Sequence, residues 1–132
     1  MPHSDTTTET AVDRAGILAS AVCAVHCALG VFLPGILAAL GLGMWFGETA
    51  EYALSAAALL FACSAAAIGF HRHRSWSVLL MLLAGICGLI GARYLEESGV
   101  HVAGVSLGIL SSITLVLGHT LNIGSRLTLR PN

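Results

Sequence analysis

Ala19-Ser20-Ala21-Val22-Cys23-Ala24-Val25-His26-Cys27-Ala28-Leu29 is the stretch that decides how this chain folds. It lies inside an uncharged run that extends from Arg14 to Glu48. Three further uncharged runs separate Glu51 from Arg72, Arg74 from Arg93, and Glu97 from Arg126. A helix that crosses a bilayer needs roughly 20 predominantly apolar residues, and each run supplies about that length or more. Only 10% of the 132 residues are charged and 56% are hydrophobic, whereas soluble domains carry about 25% charged residues. The pattern therefore predicts an all-α integral membrane protein. Four transmembrane helices, at about 15–44, 51–70, 76–94 and 100–123, should form an antiparallel up-down bundle, because short loops make sequential helices antiparallel neighbours.

Orientation follows from arginine, since lysine is absent. Arg14, Arg72, Arg74, Arg126 and Arg130 fall at one side of the expected bundle, and Arg93 alone at the other. The positive-inside rule then places both termini and the 72–74 turn in the cytoplasm, an N-in/C-in topology in a bacterial inner membrane. Met1 to Asp13 is polar, threonine-rich and acidic, without the basic start of a secretory signal. Residues 1–11 are expected as a disordered cytoplasmic tail, 12–124 as the membrane domain, and 125–132 as a short cytoplasmic tail. A net charge of −1 provides no basic surface for nucleic acid. No phosphate loop or nucleophilic triad is present, so no enzyme activity is expected.

The first expected span is too long for one straight crossing, and Pro34-Gly35 should kink it or end its first portion. At 100° per residue, Asp13, Gly16, Ser20, Cys23, Cys27, Gly30 and Pro34 share one stripe, with His26 at its edge. Small and polar residues on an apolar helix face other helices rather than lipid. Alanine dominates the second span, Gly88 and Gly91 mark the third, and Gly104, Gly108, Ser111, Ser112 and Gly118 mark the fourth. Such seams suit close helix packing and homo-oligomerisation equally well.

Residues three and four apart on a helix are surface neighbours, so Cys23, His26 and Cys27 form a candidate site for a soft metal ion. Ionisable groups inside a span are costly and mark function. Cβ atoms one turn apart are separated by about 5–6 Å, whereas a disulfide prefers about 3.5–4.5 Å; a metal ion can fill that gap. His119 and Asn122, at i and i+3 near the cytoplasmic end of the fourth span, lie at a depth near that of Asp13 to Ser20. They read either as an interhelical hydrogen bond or as a relay. His71 and His73, beside Arg72 and Arg74 in the cytoplasmic turn, read as solvated topogenic charge or, alternatively, as a receiving site for metal. Cys63 and Cys87 are isolated and read as packing. A different class of reading makes the chain a membrane sensor or accessory subunit that binds metal or haem through His26 and His119.

Asp13-Arg14-Ala15-Gly16-Ile17, then Ser20, Cys23 and Cys27, then Leu40-Gly41-Leu42-Gly43, then His73-Arg74-Ser75-Trp76, resemble in that order the MerC family of small four-helix membrane proteins. The resemblance covers roughly 13–95 and, more weakly, the fourth span. It implies transport of mercuric ion, a thiophilic cargo rather than a prosthetic group, with Cys23 and Cys27 as ligands. Two features differ from the family pattern. The first-span pair here is Cys23-Ala24-Val25-His26-Cys27 rather than Cys-x-x-Cys, and the tail Arg126 to Asn132 has no cysteine.

Overall fold

The computed structural model describes residues 3–73 and 75–128. Five α-helices follow one another: α1 (His3–Phe32), α2 (Pro34–Ala39), α3 (Glu48–His73), α4 (Trp76–Glu97) and α5 (His101–Thr128). A 3₁₀ turn, Gly43–Phe46, stands between α2 and α3. Four segments are long and apolar enough to cross a membrane: Thr7–Phe32, Glu48–His71, Trp76–Glu97 and His101–Ser125. The protein is thus an all-α, four-span, multi-pass membrane protein. Its apolar surface agrees with that reading. Leu18, Phe32, Leu60, Leu80, Leu110 and Val102 are all well exposed, where lipid rather than water would cover them.

The first span differs from the expectation at both ends. Pro34 has no N–H to donate to Gly30, so α1 stops at Phe32 and the chain restarts as α2 with Pro34 at its first turn. The crossing therefore ends well before Met44. At the other end, α1 begins at His3, so the described part of the segment expected as a disordered tail, 1–11, is helical. The reason is packing: Glu9 is buried one turn before Asp13, and Val12 rests against the core. Threonine-rich polarity concealed a stripe that runs back past Asp13. The other spans start and end within five residues of the expected positions, a scatter normal for helix boundaries read from sequence.

Around the bundle, α1 packs against α3 and α5, α5 packs most extensively against α4, and a thinner α3–α4 contact completes the ring. Small residues set the distances. A Cβ on Gly85 would sit 2.7 Å from Cγ of Leu115, and one on Gly118 would sit 2.8 Å from Cδ2 of Leu82. Glycine at these points lets α4 and α5 approach closely enough to bury both leucines. Gly41 (φ +72°) and Gly99 (φ +84°) adopt the left-handed conformation that turns the chain between helices. The core is small: Cys23, Cys27, Ala58, Ala62, Ala65, Leu82, Leu89 and Leu115 meet along the bundle axis.

Candidate metal centre

The stripe on α1 is buried as its periodicity requires: Asp13, Ser20, Cys23 and Cys27 are at most 5% exposed. Both thiols are free and lie close enough to interact directly. The side chains of Ser55 on α3 and Ser112 on α5 also face Cys23. The hydroxyl of Ser20, on the same face of α1, has no hydrogen-bond partner among the described residues. Three helices thus enclose the thiol pair with polar groups. Cys63 and Cys87 face outward, as isolated cysteines at packing or lipid-facing positions do.

His26 departs from the expected three-ligand cluster. Its ring stacks on Phe46 of the 3₁₀ turn, with centroids 4.6 Å apart and planes 10° from parallel. Among the described residues, no three or more His, Cys, Asp or Glu side chains converge as a metal-holding group. The physical reason lies in its angular position. At the stripe edge, the imidazole lies over the end of α1 where the returning chain brings an aromatic face to it. His26 is 8% exposed and its Nε2 finds no partner.

His119 and Asn122 do meet Asp13. The Asp13 carboxylate accepts a hydrogen bond from His119 Nδ1 at 2.9 Å and two from Asn122 Nδ2, both at 3.0 Å. All three residues are at most 2% exposed. The sequence expectation of an interhelical bond is therefore realised, with Asp13 as its centre. Two glycines make the space: a Cβ on Gly16 would fall on the His119 ring, and one on Gly69 would lie 2.6 Å from Asn122 Oδ1. Neither glycine signals this role by spacing alone, since the intruding side chains come from α5. His26 lies ten positions beyond Gly16, about 15 Å along the helix axis from the His119 contact. That separation does not suit two axial ligands on a single haem iron.

His71 is exposed beside an apolar surface groove of about 750 Å³ between α3 and α4, away from the thiols. The side chain of His73 lies outside the described residues. Nothing described joins either histidine to the thiol pair.

At the end of the bundle opposite the termini, a cavity of about 340 Å³ is lined by Glu48, Glu51, Tyr52, Arg93, Glu96 and Glu97, among others. Arg93 Nη1 pairs with Glu51 and Glu96, each at 2.9 Å, and Tyr52 donates to Glu97 at 2.7 Å. In the sequence Arg93 stands out only as the single arginine at this side of the bundle, and its carboxylate partners, 42 and 3 positions away, are brought to it by the fold.

A multi-pass helical bundle with two buried, free thiols on its first helix defines the class: a four-span membrane protein with polar and thiol side chains inside the bundle. The model of the MerC mercury resistance protein family matches residues 13–124. That span includes every buried polar residue described above except Glu9, and the chain belongs to the MerC family. Membership associates it with mercuric ion transport, a membrane rather than an enzymatic role. No curated protein and no solved structure matches this chain.

Proposed function

We propose that the protein carries mercuric ion, or a similarly thiophilic cation, across the bacterial inner membrane through Cys23 and Cys27. The observation that supports this most directly is the burial of two free thiols at 1% and 5% exposure inside the bundle. Two thiolates and one divalent ion sum to zero charge. That neutrality removes most of the cost of holding an ion in a low-dielectric interior. Thiolate is also the soft ligand that selects such ions. Metal binding itself drives the thiols to deprotonate.

The arginine distribution supports an orientation with the acidic mouth outside and the Asp13–His119–Asn122 cluster inside. Cations arriving at the mouth meet Glu48, Glu51, Glu96 and Glu97, whose summed field raises their local concentration. The Phe46–His26 stack covers the route from this mouth to Cys27, so capture requires the 3₁₀ turn to lift. His26 then stands beside the ion's path as a transient third ligand. The Hg(II), Zn(II) and Cu(I) binding stoichiometry of purified protein, wild type against Cys23→Ser/Cys27→Ser, tests the proposal. One tightly bound soft ion, lost in the variant while membrane insertion is unchanged, supports it. Binding unaffected by the substitutions sinks it.

A further inference from the structure

The surface groove between α3 and α4, about 750 Å³ in volume, plays no part in holding an ion at the thiols. It is lined by Ala66, Ala67, Ile68, Phe70 and His71 of α3 and by Leu79 of α4. Two causes open it. α4 packs far less against α3 than against α5, and alanines stand on the α3 wall where longer side chains would fill the gap. Ala67 and His71 are exposed, and Ala66, Ile68 and Leu79 are half-buried. The groove therefore opens to the surroundings of the bundle, which in a bilayer are acyl chains. Wall atoms with nothing against them forfeit dispersion contacts, and a flexible chain lying in the groove restores them.

One end of the groove is polar. From Ala66 to His71 it extends about 7.5 Å along α3, and α3 ends two residues later. Phe70 meets Trp76 edge to face, with centroids 5.1 Å apart and planes at 69°. That contact sets the start of α4 level with residue 70 of α3. Trp76 is 64% exposed, and an exposed tryptophan at the end of a span sits at the headgroup level. His71 lies at the same depth, and its ring carries an N–H donor in either protonation state.

The sequence around the groove carries charge of one sign. No acidic residue occurs between Glu51 and Glu96, and the turn from α3 to α4 contributes Arg72 and Arg74. The acidic residues of this end, Asp5, Glu9 and Asp13, belong to α1, which packs against α3 and α5. Arginine in the turn also points to the cytoplasmic leaflet, whose anionic lipids attract cations near the membrane surface. A second copy seated groove to groove would bring these cations against their equivalents, whereas a phosphodiester neutralises them.

We propose that this groove binds one anionic phospholipid of the inner leaflet. Its chain lies against Ala66, Ala67 and Leu79, and its phosphate accepts a hydrogen bond from His71. The site does not rest on the reading of Cys23 and Cys27 as ligands.

Trp76 borders the groove and serves as its reporter. Trp45, the other of the two tryptophans, is 68% exposed at the opposite end of the bundle, and Trp45→Phe removes its signal. In that background the full chain is reconstituted in vesicles of phosphatidylcholine and phosphatidylglycerol, with one lipid or the other brominated on its chains. Quenching of Trp76 should show phosphatidylglycerol favoured by at least about fivefold, the attraction that one surface cation exerts on an anionic leaflet. Ala67→Leu fills the groove, and His71→Leu removes the donor while keeping the groove. Both positions are exposed, so the bundle should fold normally, and each variant should lose most of the preference. Equal quenching by the two lipids overturns the proposal. A preference that survives in either variant overturns it too, leaving only the field of the arginines over an ordinary lipid shell. Shielding of Trp76 from both lipids, with a dimer by native mass spectrometry, gives the groove to a second copy and overturns it as well.

Discussion

Gly16→Ala adds a single methyl group, and its consequence can be worked from the packing around His119. The new Cβ would overlap Cε1 and Nε2 of the ring and approach Nδ1 to 2.8 Å. Real Cβ atoms do not tolerate such contacts, so either α1 moves away from α5 or the ring moves. The ring is completely buried and fixed to Asp13 at 2.9 Å, so it can yield only by giving up that bond. Overpacking costs about 1–3 kcal/mol, and an interhelical hydrogen bond in a membrane is worth about 0.6–2 kcal/mol. The sum, about 2–5 kcal/mol, should lower the unfolding midpoint of the detergent-solubilised protein clearly. A double-mutant cycle with His119→Ala separates this contact from a general intolerance of alanine on α1. With the ring gone, the methyl group has space, and Gly16→Ala should be neutral or stabilise by up to about 1 kcal/mol, because alanine is the better helix former. Strictly additive costs in the cycle would refute the contact.

Other expectations follow from the same geometry. Cys63→Ser and Cys87→Ser, at exposed positions, should leave Hg(II) stoichiometry unchanged, as measured by titration of the purified variants. Phe46→Ala removes a stacking contact worth about 0.5–1.5 kcal/mol. It should speed the reaction of Cys27 with a water-soluble maleimide added from the acidic side by up to about tenfold, and an unchanged rate would show that the turn does not cover the site. Arg93→Met leaves Glu51 and Glu96 close together without their shared cation. Thermal unfolding should show a loss of about 1–3 kcal/mol, the cost of leaving polar groups in a poorly hydrated site unpaired, and one that shrinks as pH falls and the carboxylates protonate.

The architecture was legible because bilayer-spanning helices are dictated by local composition. Long uncharged runs have no alternative to helix in hydrocarbon, and the stripe through Asp13, Ser20, Cys23 and Cys27 needs only a period of 3.6 to be recognised. The thiol pair followed from that same periodicity. The N-terminal segment did not, since 3–11 is held helical by the burial of Glu9 rather than by its own apolar content. The exit of the first span was marked by Pro34 but left ambiguous between a kink and a stop.

What the sequence by itself determined, then, is everything that lies along one helix: four spans, their buried faces, and two thiols one turn apart. Relations between helices were decided by the tertiary structure alone. That His119 and Asn122 converge on Asp13, that Gly16 and Gly69 exist to admit them, and that Ser55 and Ser112 close around Cys23 all depend on the register of α1 against α3 and α5. So does the loss of His26 from the expected ligand cluster, since its partner Phe46 arrives from beyond the helix break. Periodicity fixes angles around a single axis, whereas register between axes is set by which large side chain finds a glycine opposite it, and that pairing is not local in the chain.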